Sequence, residues 1–352
     1  MAKSLSVAVA GASGYMGERL LRHLLDHPEV SDIAPLSRRF AGKKLSEVFP
    51  WSGKRGAGIT FGSPEKIPDA DVAFFSLPDG PWWGGIPAQV ASGTRVVTLG
   101  GKYRIADRSV DEKYYPFPSD DRLYKERAYG LPELFRARIR KARYVANPGC
   151  YPTATLLALA PLKKFLGSID TDRVVVDALS GTTGAGDPNA EPTKTAERPY
   201  VARVRAGEEM VAYAVTGHRH TPEMEWNLAD YSGARATIHF TPHLVPLLQG
   251  IHATVTVFPK KELDESALKA EYARAYAREP FAKFVESPRE PVAISVKDVN
   301  NTNLCKVSLF QDRKRLLLIS VLDNLGKGGA SQAVQNMNLM LGLDERLGLM
   351  PT

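Results

Sequence analysis

The sequence predicts two domains: a doubly wound α/β unit over residues 1–150, and an α+β unit with a largely antiparallel sheet over 151–327, with a last helix in 328–352 packing back on the first. Three observations carry this. The chain opens on an alternating strand, a glycine turn and a helical leucine pattern. Short apolar strands, each followed by a turn, then recur up to Cys150. Beyond Cys150 the strands are rich in Val and Ile, with one long helical pattern among them.

Composition narrows the class. With 43% hydrophobic and 24% charged side chains in 352 residues, the chain suits a globular protein with sizeable cores, and disorder is excluded. No apolar run is long enough to cross a bilayer, and MAKSLSVAVAG enters a strand without a signal-peptide pattern, so a cytoplasmic protein with no membrane partner is expected. Cys150 and Cys305, far apart, argue against a disulfide framework and fit a reducing compartment. A net charge of +7 and a pI near 9.2 allow nucleic-acid binding, yet the basic residues are scattered, with no Lys/Arg block and no zinc spacing. An anionic substrate and cofactor fit that charge better; neither nucleic acid nor metal is expected.

The first element fixes the class of the first domain. Val7 and Val9 alternate into Gly11, and Leu20, Leu21, Leu24 and Leu25 follow at helical spacing. Within GASGYMG, Gly11, Gly14 and Gly17 form a G-x-x-G-x-x-G variant of the Rossmann-type dinucleotide fingerprint, allowing a tight turn, close approach of a pyrophosphate and close helix–strand packing. Ser13, Tyr15 and Met16 share that turn and are expected at the cofactor. The second strand is expected near Ser31–Leu36, where a free ribose 2′-hydroxyl wants an acidic residue; Ser37, Arg38 and Arg39 stand there instead. Two guanidiniums suit a 2′-phosphate, so NADP(H) is expected rather than NAD(H). Asp69–Pro81, which contains Pro78, and Thr94–Ile105 each read as a buried strand and turn lining a crevice at the carboxyl edge of a parallel sheet. AYGLPELF, residues 128–135, leads into the next strand.

The chain is organised around Cys150. Tyr144, Val145 and Ala146 read as a strand end, Asn147, Pro148 and Gly149 as a tight turn, and Thr153–Leu162 as a helix. The thiol therefore lies at or just before a helix N-terminus, where the helix dipole favours a thiolate and could stabilise an oxyanion on a carbon bonded to sulfur. A buried structural cysteine is the bland alternative.

In the second half, strands are expected at Arg173–Ala178, Ala236–Phe240, His252–Phe258, Val292–Val296 and Leu316–Val321, and a helix at Asp264–Arg278. Gly181–Pro199 reads as a long surface loop, and Ala330, Ala333, Val334, Met337 and Leu341 mark an amphipathic last helix. VTGHRHTPEMEW places His218 and His220 before a helix, with Thr221 as its N-cap and Pro222 as its first residue. A hydride carrier and a nucleophilic thiol together suggest interconversion of a thioester and an aldehyde, for which an imidazole would move the protons.

GASGYMG, YGLPEL, NPGCYPTATLLALAPL, SGTTGAG, GHRHTPE, FTPHLVPLLQGI and DNLGKGGASQAVQNMN, in this order, resemble the N-acetyl-gamma-glutamyl-phosphate reductases of arginine biosynthesis, relatives of aspartate-semialdehyde dehydrogenase. The resemblance spans nearly the whole chain. It implies NADPH-dependent reduction of an acyl phosphate through a Cys150 thioester to N-acetylglutamate 5-semialdehyde, by a homodimer or homotetramer. It places the acid/base in the GHRH segment, favouring His218 over His220, and makes Asn147 a polarising group for the acyl oxygen. It puts Ser180, Gly181, Gly184 and Asn324 on the nicotinamide side, and Arg104, Glu133 and Arg219 at the substrate. Two stretches depart from the family's LPHG and LSADFR: Leu77-Pro78-Asp79-Gly80, and Leu99-Gly100-Gly101-Lys102-Tyr103-Arg104. The neighbouring readings are a lysine-pathway reductase acting on an aminoadipyl phosphate held by an acidic carrier protein, whose cysteine motif resembles GCNAT, and a non-catalytic NADP-binding sensor.

Overall fold

The structure, a computed structural model, describes residues 4–186, 199–286, 294–312 and 314–349. The chain forms two compact units, Met1–Pro148 with Gly329–Thr352, and Gly149–Gly328.

In the first unit six strands, β1 (Leu5–Ala10), β2 (Val30–Leu36), β3 (Val72–Phe75), β4 (Arg95–Thr98), β5 (Ala128–Tyr129) and β6 (Tyr144–Ala146), form one sheet in the order β2-β1-β3-β4-β6-β5. Every pairing is parallel. β3 and β6 are buried along their whole length, as expected for strands covered on both faces. The helix Tyr15–Leu25 buries Leu20, Leu21 and Leu24. The helix Ser331–Met340 packs on Tyr15–Leu25, Pro132–Ile139 and β4. Its pattern predicts a wet face, but all ten of its residues are buried. Three of its polar side chains donate within the unit: Asn336 Nδ2 to Gly130 O (2.8 Å), Asn338 Nδ2 to Leu347 O (2.9 Å) and Gln335 Nε2 to Glu345 Oε2 (2.8 Å).

In the second unit seven strands, β7 (Val174–Ser180), β8 (Val211–Ala212), β9 (Ile238–Leu244), β10 (Ile251–Val257), β11 (Ala282–Phe284), β12 (Cys305–Asp312) and β13 (Arg315–Leu322), take the order β11-β12-β13-β10-β7-β9-β8. The β7/β9 and β11/β12 pairs are parallel and the others antiparallel. This is the mixed, largely antiparallel sheet the sequence predicts. The helix Cys150–Leu159 packs on β10 and β13, and the helix His220–Ser232 packs on that helix and on β9.

Local expectations fail at three places. No strand forms at the described part of Val292–Val296: Val296–Asp298 is a 3-10 turn, in which Ser295 Oγ accepts from Lys297 N (3.2 Å) and Asp298 Oδ2 from Ser295 N (3.1 Å). That reciprocal capping outcompetes the β propensity of the Val and Ile residues. Residues 292–293, and 187–198 of the expected long loop, lie outside the described residues. The cysteine helix starts at Cys150 rather than Thr153, and Ala160 onward is 3-10. The histidine helix starts at His220, with Arg219 already at φ −57° and ψ −20°, so Thr221 is not its cap. His218 takes that part, its Nδ1 accepting the His220 N–H at 3.1 Å.

Candidate active site

In the first unit the glycine turn is built by contact. Gly11 sits at φ +81°, and a Cβ there would stand 2.4 Å from Ser76 O; a Cβ on Gly17 would stand 2.2 Å from Gly11 O. Both neighbours are backbone and cannot give way. Gly14 differs: it is the N-cap of Tyr15–Leu25, no side chain caps that helix, and a Cβ there would meet only Gly11 O at 3.7 Å. A Cβ at Gly14 would thus fill open space at a helix N-terminus, which is the cradle a pyrophosphate requires. Gly11 N–H and Ala12 N–H donate to Leu36 O, at 3.0 and 3.1 Å, bringing the turn to the end of β2. There Ser13 Oγ and Ser37 Oγ are 2.8 Å apart, Arg38 pairs with Glu65 at 2.7 Å, and Arg39 lies over Phe40. These residues fit a dinucleotide with a phosphorylated ribose.

The remaining first-unit candidates lie at the carboxyl edge of the sheet or beside it. Pro78 O accepts Trp82 Nε1–H (2.6 Å) and Asp79 Oδ1 accepts Trp83 Nε1–H (3.1 Å). Arg104 is buried, with Nη2 donating to Leu99 O at 2.8 Å. Glu133 occupies the first turn of Pro132–Ile139. Asn147 is also committed: Nδ2 donates to Gly329 O (3.1 Å) and Oδ1 accepts from Asn336 Nδ2 (2.9 Å), tying the end of β6 to the start of the last helix.

In the second unit Cys150 is the first residue of its helix, with Gly149 as N-cap and no side-chain cap. The Gly149 N–H donates to Glu223 Oε1 at 2.8 Å. The other oxygen, Oε2, stands 4.0 Å from His220 Nε2, and that carboxylate is 1% exposed. His220 Nε2 lies 2.5 Å from where a Cβ of Gly149 would be, so the imidazole packs directly on the residue before the thiol. His218 stands behind, its ring 4.7 Å from His220 and enclosed by Tyr151, Tyr213 and Phe240. Tyr151 Oη and Tyr213 Oη are 3.1 Å apart. Burial holds both phenols well above their usual titration range, with Tyr213 and Cys150 adding to the effect on Tyr151, so they serve as neutral hydrogen-bonding groups. Arg219 is exposed and close enough to Tyr213 to oppose its upward shift.

A loop group adjoins the thiol. A Cβ on Gly328 would stand 2.9 Å from Cys150 Cβ. Asn324 Oδ1 accepts the Gly250 N–H, and Asn324 Nδ2 donates to Thr183 Oγ1 (3.0 Å). A Cβ on Gly184 would lie 2.6 Å from Ser180 Oγ and 3.8 Å from Asn324 Nδ2, and one on Gly181 would strike the Gln249 backbone at 2.6 Å. Ser180, Gly181, Gly184 and Asn324 are thereby brought together. Glu223, Tyr151 and Tyr213 are absent from the sequence-derived candidates. For Glu223 a signal existed, since it lies three residues after His220 on one helix face; for Tyr213 none did.

Comparison with known proteins bears on this arrangement. The model of the semialdehyde dehydrogenase NAD binding domain matches residues 6–142, and that of the semialdehyde dehydrogenase dimerisation domain matches 150–324. N-acetyl-gamma-glutamyl-phosphate reductases of Herminiimonas arsenicoxydans and Symbiobacterium thermophilum are each 40% identical to the chain, over 98% and 99% of it respectively and 98% of their own length. The chain belongs to the N-acetyl-gamma-glutamyl-phosphate reductase family. The family's fold extends to aspartate semialdehyde dehydrogenases of known structure. One from Vibrio cholerae, complexed with ASA, superposes with a TM-score of 0.72 at 18% identity, covering 97% of this chain and 99% of that one. One from Candida albicans with NADP gives 0.63 at 15% identity, covering 96% and 100%. At these identities the likeness concerns the fold alone. Among the described residues, no helix is long and apolar enough to cross a membrane.

Proposed function

We propose that the chain reduces N-acetyl-L-glutamyl 5-phosphate to N-acetyl-L-glutamate 5-semialdehyde and phosphate, with NADPH as reductant. The observation that carries this reading is the Cys150–Gly149–His220–Glu223 arrangement: a thiol at an uncapped helix start, an imidazole packed on the preceding residue, and a buried carboxylate that holds both segments.

Cys150 Sγ attacks the acyl carbon and the C–O bond to phosphate breaks, leaving a thioester and releasing phosphate. The positive end of Cys150–Leu159 favours the thiolate before attack and the oxyanion during it. Bound NADPH supplies the hydride that takes the thioester carbon to the aldehyde level; Gly11, Ser13, Gly14, Tyr15, Met16 and Gly17 would hold its pyrophosphate end and Ser37, Arg38 and Arg39 its 2′-phosphate. His220 accepts the thiol proton at the outset and hands it to the oxygen that develops on the reduced carbon; on collapse it takes that proton back, the C–S bond breaks, and the semialdehyde leaves with Cys150 as thiolate. His218 is the weaker candidate, because its Nδ1 is committed to the His220 N–H and its ring is packed among aromatics. Glu223 orients His220 while fixing the Gly149 peptide. Arg104 and Arg219 are assigned to the substrate's anionic groups and Asn324 to the nicotinamide side.

The dimerisation-domain match supports self-association, which we assign to the face of the second sheet bearing Asp177 and Leu179. Along β7 these two are exposed, while Val174, Val176, Ala178 and Ser180 are buried.

NADPH consumption is the test, with N-acetylglutamyl phosphate, aspartyl phosphate and carrier-bound aminoadipyl phosphate compared side by side. Preference for either of the last two overturns the substrate. Cys150→Ser is expected to abolish turnover and retain NADPH binding, and His220→Asn to lose more activity than His218→Asn. Unchanged turnover in Cys150→Ser would sink the covalent route.

A further inference from the structure

The turn after β4 encloses a buried ion pair that the proposed reaction does not use. Lys102 and Asp111 are both 0% exposed. Lys102 Nζ donates to Tyr115 O (3.0 Å) and Tyr124 Oη (3.4 Å), and stands 3.7 Å from Asp111 Oδ2. Tyr124 Oη donates to the same Oδ2 at 2.8 Å. The other oxygen, Oδ1, accepts the Tyr103 N–H at 3.1 Å. Tyr103 has φ +66°, a left-handed conformation that a bulky side chain avoids unless its surroundings enforce it.

The turn around this pair is closely packed. A Cβ on Gly101 would stand 2.1 Å from the Tyr115 ring, and one on Gly100 2.6 Å from Trp83 Cζ2. Tyr103 Oη accepts the Asp120 N–H at 2.9 Å, anchoring the far end of the ring. Arg104 comes next, its guanidinium closing the turn on Leu99 O. A buried ion pair is weak as a source of stability, because desolvation offsets its Coulomb attraction; burial indeed pushes Asp111 up to about 6 and Lys102 down. The role left to such a pair is geometric.

We propose that Lys102 and Asp111 are positioning residues for Arg104: the pair clamps Tyr103 in its left-handed conformation and so sets the direction in which the guanidinium is offered to an anionic group of the substrate. This rests on the anion-binding role given to Arg104 above. The lysine points into its own domain rather than serving as a ligand.

The test uses the full chain in the aldehyde-oxidising direction, with N-acetylglutamate 5-semialdehyde, inorganic phosphate and NADP+, comparing R104M, D111N, K102M and K102M/D111N. R104M is expected to raise KM for phosphate or for the semialdehyde. D111N, which leaves a buried cation uncompensated, is expected to raise that same KM on the order of tenfold or more, with KM for NADP+ unchanged. The double variant, neutral again, recovers most of the loss. If R104M raises an anion KM while D111N and K102M stay within about twofold of wild type, or if all three KM values rise together, the positioning role is wrong although Arg104 stands. If R104M changes neither anion KM, the role of Arg104 falls and this inference with it. Should D111N fail to fold, K102M against the double variant makes the same comparison, since a carboxyl without its lysine can take a proton rather than bury a charge.

Discussion

Replacing Gly149 by alanine adds one methyl group ahead of the thiol, and the structure specifies what it meets. The backbone is at φ −70° and ψ 157°, where alanine is at ease, so no conformational strain enters. The new Cβ would lie 2.5 Å from His220 Nε2, 2.8 Å from Cε1 and 3.0 Å from Cδ2. Ordinary contact at 3.4 Å requires the imidazole to retreat by 3.4 − 2.5, about 0.9 Å. The His218 ring at 4.7 Å and the Glu223 carboxylate at 4.0 Å limit that retreat. Overpacking of this kind costs about 1–3 kcal/mol of stability. A displacement of about 1 Å in an acid/base group costs roughly a hundredfold in rate, or ~2.7 kcal/mol of transition-state stabilisation. Gly149→Ala is therefore expected to melt a few degrees lower, to bind NADPH as before and to lose kcat on the order of a hundredfold. Steady-state turnover, NADPH fluorescence titration and the alkylation rate of Cys150 by iodoacetamide measure the three effects separately. Turnover within about threefold of wild type in the folded variant would refute the assignment of His220, because the methyl group leaves the ring no room to keep its place.

Three further outcomes are expected. Glu223→Ala removes the acceptor of the Gly149 N–H and leaves that buried donor unpaired, so it should cost about 1–3 kcal/mol in a denaturant melt; Glu223→Gln, which keeps an acceptor, should cost clearly less. Acidification should loosen the last helix. His23 Nδ1 donates to Gly348 O (3.2 Å) and its Nε2 accepts from Ser331 Oγ (2.9 Å), a neutral pairing, and burial lowers its pKa to about 4. A depressed folded pKa means that the stabilisation is complete above about 6.5 and is lost as pH falls towards 4, up to roughly 3 kcal/mol. Hydrogen exchange in Ser331–Met340 should accelerate over that window, less so in His23→Gln, and an exchange rate indifferent to pH after correction for intrinsic chemistry would contradict it. Arg38→Ala with Arg39→Ala should weaken NADPH binding by about tenfold or more and leave NADH nearly unchanged, read by titration at fixed ionic strength.

What could be read in the sequence had local signals. β1, its glycine turn and the helix after it follow from alternation, three glycines and leucines at helical spacing, and Glu265–Tyr276 appears where its pattern predicts, with Asp264 as cap. The Val/Ile-rich strands of the second sheet were equally legible. β12 carries the same kind of signal, Cys305, Val307 and Leu309 alternating with Lys306 and Ser308, although it is not among the expected strands. The described residues of the expected strand Val292–Val296 form none because a local capping arrangement prevails over apolar composition. The last helix shows another limit. Gln332, Gln335, Asn336 and Asn338 spell a solvent face, yet all four are buried, and the bond from Asn336 to Gly130 reaches a segment distant in sequence.

The candidate site divides along the same line. Cys150 and the GHRH segment announce themselves by residue type, but choosing between His218 and His220 depends on which imidazole caps a helix start and which packs on Gly149. Gly149 itself reads as a turn glycine in NPGC, yet its backbone needs no glycine. The requirement comes from His220 on another helix, so a glycine that looks local is in fact half of a contact. Gly17 makes the same case in the first unit, where the carbonyl of Gly11, not its own dihedral angles, excludes a side chain. Glu223 links the two segments: one oxygen accepts the peptide N–H that enters the cysteine helix, and the other faces the imidazole at 4.0 Å, a charge contact rather than a hydrogen bond. The cysteine helix and the histidine helix are thus joined at one buried carboxylate, and the methyl group of Gly149→Ala is the smallest change that probes the join without breaking it.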